Sequence, residues 1–198
     1  MLTQRQQEII EVSLDLIAKK GIQGLTMKNL SKEIGISEPA IYRHYENKIE
    51  ILKSILDYFF NNVKSILESE LNSDSTALEK ILNIFNRHFI SFSEKPQLLA
   101  VIFSEELFRN ETSLNQKVAN IMEQNAQMIQ AILETGRQNG EINPNLNPRH
   151  LAIIIMGALR LLAKQWQMSN HSFNLKQDGA ALFETISSII RKTDENID

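Results

Sequence analysis

Apolar residues recur three and four positions apart from one end of the chain to the other. In the first segment Ile9, Val12 and Leu16 form one stripe, and Ile10, Leu14 and Ile17 form the adjoining one. Glu8, Glu11, Asp15 and Lys19 fall together on the opposite side. That is the period of an amphipathic helix packed on a core. Thr3 and Gln6 have capping-box spacing at its start, and Gly21 supplies its stop. Nowhere does an alternating apolar run lie between hairpin dipeptides, and no tract repeats with a fixed period. The pattern predicts an all-α protein of about nine helices, over 3–20, 27–34, 38–44, 48–70, 75–93, 96–108, 113–139, 148–168 and 175–192. Helices before residue 48 are short and closely punctuated, and those after it are long. The expected division is a three-helix domain over 1–48 and a larger helical domain over 49–198.

The short helices carry the most local information. Thr26 can cap a helix whose preceding residue, Leu25, staples onto Leu30. Leu30 and Ile34 point inward, and Gly35 ends the helix where a positive φ is cheap. The device repeats: Ser37 caps the next helix, Ile36 staples to Ile41, and Pro39 sits in the first turn, where a missing N–H does no harm. Two capped helices joined by a three-residue turn containing Gly make a helix-turn-helix. Burying Ile41 and Tyr45 leaves Pro39, Ala40, Arg43 and His44, with part of Tyr42, facing outward. Arg43 is the best donor here for guanine or phosphate. Asn47 caps the fourth helix, with Glu50 at the capping-box position. Lys48 then places a cation beside a helix amino end, against the macrodipole, which points to an anion shared with the helix amides. Glu38 suits the dipole but repels phosphate, so it caps the helix or reads a cytosine amine. An ordinary turn between two helices of a bundle would give a similar pattern, and these residues alone leave both readings open.

Composition narrows the field. The 198 residues are 42% hydrophobic, enough to bury a core. The net charge of −3 provides no bulk basic field, and residues 1–48 hold seven Lys/Arg against six Asp/Glu. Any DNA contact must therefore rest on local residues. With no cysteine, disulfides, thiolate metal sites and cysteine nucleophiles are excluded. His44, His88, His150 and His171 have no metal-ligand spacing to one another, and no phosphate loop or nucleophile elbow is present. No enzyme activity, metal or cofactor is expected. The amino terminus mixes acidic residues into its apolar positions, and the apolar run from Leu151 is broken at Arg160, too short to span a bilayer. A cytoplasmic protein without membrane association is expected.

Residues 5–56 resemble the DNA-binding domain of the TetR family of bacterial and archaeal transcriptional regulators. The likeness runs from Ile9-Ile10 through Gly21, Leu25-Thr26-Met27, Leu30, Gly35-Ile36-Ser37, Ala40-Ile41-Tyr42-Arg43-His44-Tyr45 and Asn47-Lys48 to Leu52. A weaker likeness continues at Gly140-Glu141-Ile142, Gly157-Ala158-Leu159-Arg160, Trp166 to Ser169 and Phe173 to Leu175. The resemblance implies an all-α homodimer whose two heads grip a palindromic operator in double-stranded DNA. It also implies that the larger domain binds an effector and dimerises, with the protein usually acting as a repressor. By resemblance Thr26, Ser37, Tyr42, His44 and Lys48 contact phosphate, Lys28 joins the same DNA-facing set, and Pro39, Ala40 and Arg43 approach bases. Glu38 stands where the family often has a small neutral residue.

In the longer helices Phe85, Phe89 and Phe92 share a stripe, with His88 alongside. Phe103, Phe108, Met122, Met128 and Trp166 would close a cavity around it. Such a lining suits an apolar or amphipathic effector, with His88 as its polar anchor; packed core is the competing reading for each residue. From Leu151 to Ala163 the helix is apolar nearly all round, so one face has its own domain to meet and the other needs a partner. Leu151, Ile155 and Leu159 are expected there, with Leu182, Ile186 and Ile189 of the last helix, where Gly179 and Ala180 permit close approach. The expected protein is a repressor released from its operator by a small, largely apolar molecule. The alternative is a helix-turn-helix homodimer acting through protein or nucleoid contacts without an effector.

Overall fold

The computed structural model describes residues 2–104 and 111–192. Among them it contains nine α-helices and one 3₁₀ turn, Ile22–Gly24. The helices are α1 (Gln4–Lys20), α2 (Met27–Ile34), α3 (Glu38–Tyr42), α4 (Lys48–Leu71), α5 (Ala77–Glu94), α6 (Gln97–Ile102), α7 (Thr112–Gln138), α8 (Pro148–Met168) and α9 (Leu175–Ile190). One isolated antiparallel bridge, Ile142 to Arg191, is the only extended pairing among the described residues. The all-α expectation holds, and α2 and α8 have the expected limits. Helix α6 stops at Ile102 rather than at residue 108, with the Phe103 N–H closing on the Leu99 carbonyl. Phe108 and the rest of that expected helix beyond Ser104 lie outside the described residues.

The chain forms two compact units, Met1–Asn61 with Lys95–Val118, and Asn62–Glu94 with Ala119–Asp198. Helices α4 and α7 run through both. Residue 48, the expected functional boundary, is the first residue of α4, and the first unit continues past it to Asn61.

In the first unit α1 begins with the expected capping box, Thr3 and Gln6 exchanging side-chain-to-backbone bonds of 3.0 and 3.3 Å. Its apolar face, Ile9, Ile10, Leu14, Leu16 and Ile17, is buried, and α1 packs on α2 and α6. Ile51, Leu52, Ile55 and Leu56 of α4 are fully buried as well. The Lys117–Asp57 ion pair (2.6 Å) and the Lys95–Tyr58 hydrogen bond (3.2 Å) tie the later segment to α4.

In the second unit α5 packs on α9, and α8 lies against both. Phe85 meets Phe89 and Phe183 edge-on, each at 5.7 Å between ring centres. Gly179 is what lets α9 come this close, since a Cβ there would lie 2.2 Å from the Phe89 ring. The opposite side of α5 is polar. Its Asn83 donates to the buried Glu70 carboxylate at the end of α4 (3.1 Å), Arg87 lies 3.6 Å from the same group, and Lys80 donates to the Leu71 carbonyl (3.3 Å). The amino end of α5 is capped twice, by Thr76 and Glu79 reciprocally and by Glu141, which accepts from the Ala77 N–H at 2.6 Å.

Candidate nucleic-acid interface and effector region

The helix-turn-helix is built largely as its residues dictate. Thr26 is extended and its Oγ accepts from the Asn29 N–H at 3.0 Å. Leu25 and Leu30 are fully buried, completing the hydrophobic staple. Gly35 is left-handed at φ 80°, and its N–H closes on the Ser31 carbonyl. Asn29 also donates to the Gly24 carbonyl (2.9 Å), and Lys19 pairs with Glu33 (3.3 Å), bracing α2 against the preceding turn and α1. Neither contact has a local sequence signature.

Ser37 departs from expectation. It occupies the N-cap position of α3 with extended backbone, but its hydroxyl makes no capping bond. The reason is local. An N-cap side chain accepts from the second or third helical amide. Here the second residue is Pro39, which has no N–H, and the Ala40 N–H is taken by the Ser37 carbonyl at 2.9 Å. The hydroxyl is thereby left to other partners. Ile36 is only half-buried, so its expected staple onto the fully buried Ile41 is loose. Helix α3 ends at Tyr42, and the chain turns on, with the His44 and Tyr45 amides both reaching the Ile41 carbonyl. Tyr45 anchors this turn from inside. Burial raises its phenol pKa, tempered by Ser54 nearby, and the hydroxyl is enclosed without a formed hydrogen bond.

With Ile41 and Tyr45 inward, Thr26, Lys28, Ser37, Pro39, Tyr42, Arg43 and His44 are exposed, and Glu38, Ala40 and Lys48 are half-buried. Asn47 caps α4, its Oδ1 accepting from Ile49 at 2.8 Å and Glu50 at 3.1 Å. The expected box is only half made, because the Glu50 carboxylate turns to Lys53 at 2.8 Å instead of back to the cap. Among the described residues neither Arg43 nor Lys48 has an acidic partner. Two unneutralised cations and a free hydroxyl therefore flank a short helix whose other side is fixed in the core. Such a surface suits anionic, hydrogen-bond-rich DNA.

The expected effector residues divide. Phe85 and Phe89 are packed against α9 around Phe183 and Gly179. His88 and Phe92 sit side by side on α5, ring centres 6.1 Å apart, with His88 Nδ1 2.7 Å from the Ile84 carbonyl. Burial holds the His88 pKa below the ordinary imidazole range, so the ring is neutral. Trp166 is buried, donates to the Phe173 carbonyl (3.0 Å) and stacks on His171 at 4.2 Å. Met128 is half-buried, but Met122 lies on the exposed face of α7, and Phe103 belongs to the first unit.

The expected dimer residues also divide. Leu151, Ile155 and Ile186 are only 4%, 1% and 6% exposed and belong to the core of their own unit, which corrects their expected outward placement. The inward stripe of α8 is Leu151, Ala152, Ile155, Ala163 and Trp166. At 100° per residue the opposite side is Ile153, Ile154, Gly157 and Leu161, and the three large residues are 56–60% exposed. Met168 continues this apolar face at the end of α8, Ile189 is exposed on α9, and Leu159 and Leu182 are half-buried. On α9 the Thr185 and Ser188 hydroxyls bond back to the Ala181 and Thr185 carbonyls, so this face needs no outside hydrogen-bond partner.

The fold and the exposed head define a helix-turn-helix DNA-binding protein. Residues 9–55 match the bacterial regulatory proteins of the tetR family, and residues 56–189 match the C-terminal region of YsiA-like proteins. The chain belongs to the TetR family of transcriptional regulators. It is 25% identical over 184 residues to the fatty acid metabolism regulator protein of Bacillus subtilis, covering 93% of this chain and 94% of that one. The structure of FadR from Bacillus subtilis in complex with stearoyl-CoA superposes with a TM-score of 0.81 at 24% identity, covering 92% and 97% of the two chains. SmeT in complex with triclosan gives 0.84 at 16% identity, covering 97% and 94%. Among the described residues no helix is long and apolar enough to cross a membrane, and no cluster of His, Asp and Glu could hold a metal ion.

Proposed function

We propose that the protein is a cytoplasmic repressor that binds a palindromic operator as a homodimer and is released by a small, largely apolar effector. It is a regulator rather than an enzyme. The observation that carries the reading is the exposed surface around α3, where Arg43 and, at the start of α4, Lys48 stand without acidic partners among the described residues and the Ser37 hydroxyl makes no capping bond. Residues 1–48 form the DNA-reading head: Thr26, Lys28, Ser37, Tyr42, His44 and Lys48 hold phosphates, and Pro39, Ala40 and Arg43 approach base edges, with Glu38 beside them. Residues 49–198 bind effector and dimerise. His88 and Phe92 on α5 mark the effector region. Its ligand carries a large apolar part, as do the stearoyl-CoA and triclosan held by the two structural neighbours. The second copy covers the face of α8 made by Ile153, Ile154, Gly157 and Leu161, together with Leu182 and Ile189 of α9.

Footprinting on DNA upstream of the protein's own gene tests this reading, with stearoyl-CoA and triclosan as release probes. A two-fold symmetric footprint, lost on addition of at least one of these probes, is expected. A footprint indifferent to both probes and to cell-extracted lipid would favour a homodimer acting through nucleoid contacts. No protected sequence would overturn the assignment of the head.

A further inference from the structure

His88 is the polar side chain on α5 whose hydrogen-bonding polarity can be fixed from its surroundings. Its Nδ1 lies 2.7 Å from the Ile84 carbonyl one turn back. A carbonyl oxygen can only accept, so Nδ1 carries the hydrogen. Neutral imidazole has one N–H, and Nε2 therefore presents a bare lone pair. A half-turn of the ring would leave Phe92 beside it but give up the bond to the Ile84 carbonyl, so that bond holds the ring in this orientation. Among the described residues no protein group donates to Nε2. Burial also resists the second proton that would turn Nε2 into a donor.

We propose that His88 Nε2 is the specificity-determining acceptor of the effector site and selects an apolar ligand bearing a hydroxyl, an alcohol or phenol. This inference rests on the effector reading above and deepens it. A hydroxyl donates its proton to the lone pair. A thioester carbonyl, an ester or a carboxylate brings only lone pairs to meet it, leaving two acceptors face to face. Of the two ligand types held by the structural neighbours, the phenol of triclosan satisfies this polarity and the thioester of stearoyl-CoA does not.

Two measurements on the full-length protein decide it. The first needs no ligand. Long-range imidazole ¹H–¹⁵N spectra at pH 7.5, with His88 identified by the signal missing in His88→Gln, should show a protonated Nδ1 and an unprotonated Nε2. The reverse pattern, or protons on both, overturns the proposal. The second compares 1-decanol with methyl nonanoate, matched in length but differing in donor capacity, by calorimetric titration. Wild type should prefer decanol by about five- to tenfold, the yield of one neutral hydrogen bond, and His88→Leu should bind both alike. Should His88→Leu fail to fold, the wild-type preference and the tautomer stand as the deciding results. Equal wild-type affinities overturn the specificity role while leaving an apolar effector site intact. If decanol, methyl nonanoate, stearoyl-CoA and triclosan all fail to bind, the effector reading falls and this inference falls with it.

Discussion

At the residue scale, Lys48 and Arg43 make contrasting predictions. Lys48 is a cation at the first position of α4, where the dipole disfavours it, and no carboxylate compensates it among the described residues. If it holds a phosphate, Lys48→Ala weakens specific and non-specific DNA alike. It also lowers the slope of log affinity against log salt by about 0.9 per contact, nearly two per dimer. An unchanged slope in a salt titration would remove Lys48 from the interface. Arg43→Ala should instead cost about 1–3 kcal/mol per half-site and relax preference at one base position, measured by binding selection on randomised half-sites. Uniform weakening would make Arg43 a phosphate contact. Most of this surface was legible in sequence because each exposed residue is the complement of a buried one: Ile41 and Tyr45 inward put Arg43 and His44 outward. The free Ser37 hydroxyl was not, because it depends on how Pro39 and the Ala40 amide share the first turn. His88 supplies a pH prediction. Its folded pKa lies below the unfolded value of about 6.5, so the unfolded chain binds more protons between the two. Stability is therefore highest above about 6.5 and falls as pH drops toward the folded pKa. Urea titrations at pH 7.5 and 5.5 should show a smaller difference for His88→Leu than for wild type, and an equal difference would mean that the ring charges freely when folded.

At the element scale, the period of apolar residues locates helices well and says little about which faces meet. Every expected helix is found among the described residues, because the apolar stripes keep a helical period and several are bounded by cap residues such as Thr3, Thr26, Asn47 and Asn147 or by the stops Gly21 and Gly35. The stripe Phe85, Phe89 and Phe92 is a case where periodicity could not choose between cavity and core. In the structure all three rings are buried on one face, with Gly179 of α9 admitting the Phe89 ring and His88 adjoining Phe92 at the edge of the stripe. A residue whose value lies in having no side chain gives no signal until its neighbour is known. Gly179→Ala places a methyl where the Phe89 ring now sits and should destabilise the protein by about 1–3 kcal/mol, the usual cost of overpacking a core. Gly179→Ala combined with Phe89→Leu should recover part of that loss, because the two residues share one contact. Thermal denaturation of Gly179→Ala, Phe89→Leu and the double variant checks it, and additive losses would show that the packing is adjustable.

For the whole molecule, the apolar circumference of α8 forces the question of what covers its second face. Sequence alone could state that a partner is needed, but an all-round apolar helix carries no mark of which side is its own. The structure supplies that mark by burying Leu151 and Ile155 and leaving Ile153, Ile154 and Leu161 in water. Charged substitutions on the two faces should then fail in different ways. Ile155→Asp puts an unpaired carboxylate into the core and should unfold the protomer or leave it molten, as read by circular dichroism. Leu161→Asp changes a residue that is 60% exposed in the protomer, so helicity should survive while sedimentation shows monomers. Operator binding should collapse with the dimer, since two heads must reach successive major grooves about 34–36 Å apart, or a multiple of that. One head alone keeps only half of the phosphate contacts, so the salt slope of the Leu161→Asp monomer should be about half that of wild type. A Leu161→Asp protein that remains a dimer with an intact salt slope would place the partner on some other surface. The exposed stripe of α8 would then need a different occupant.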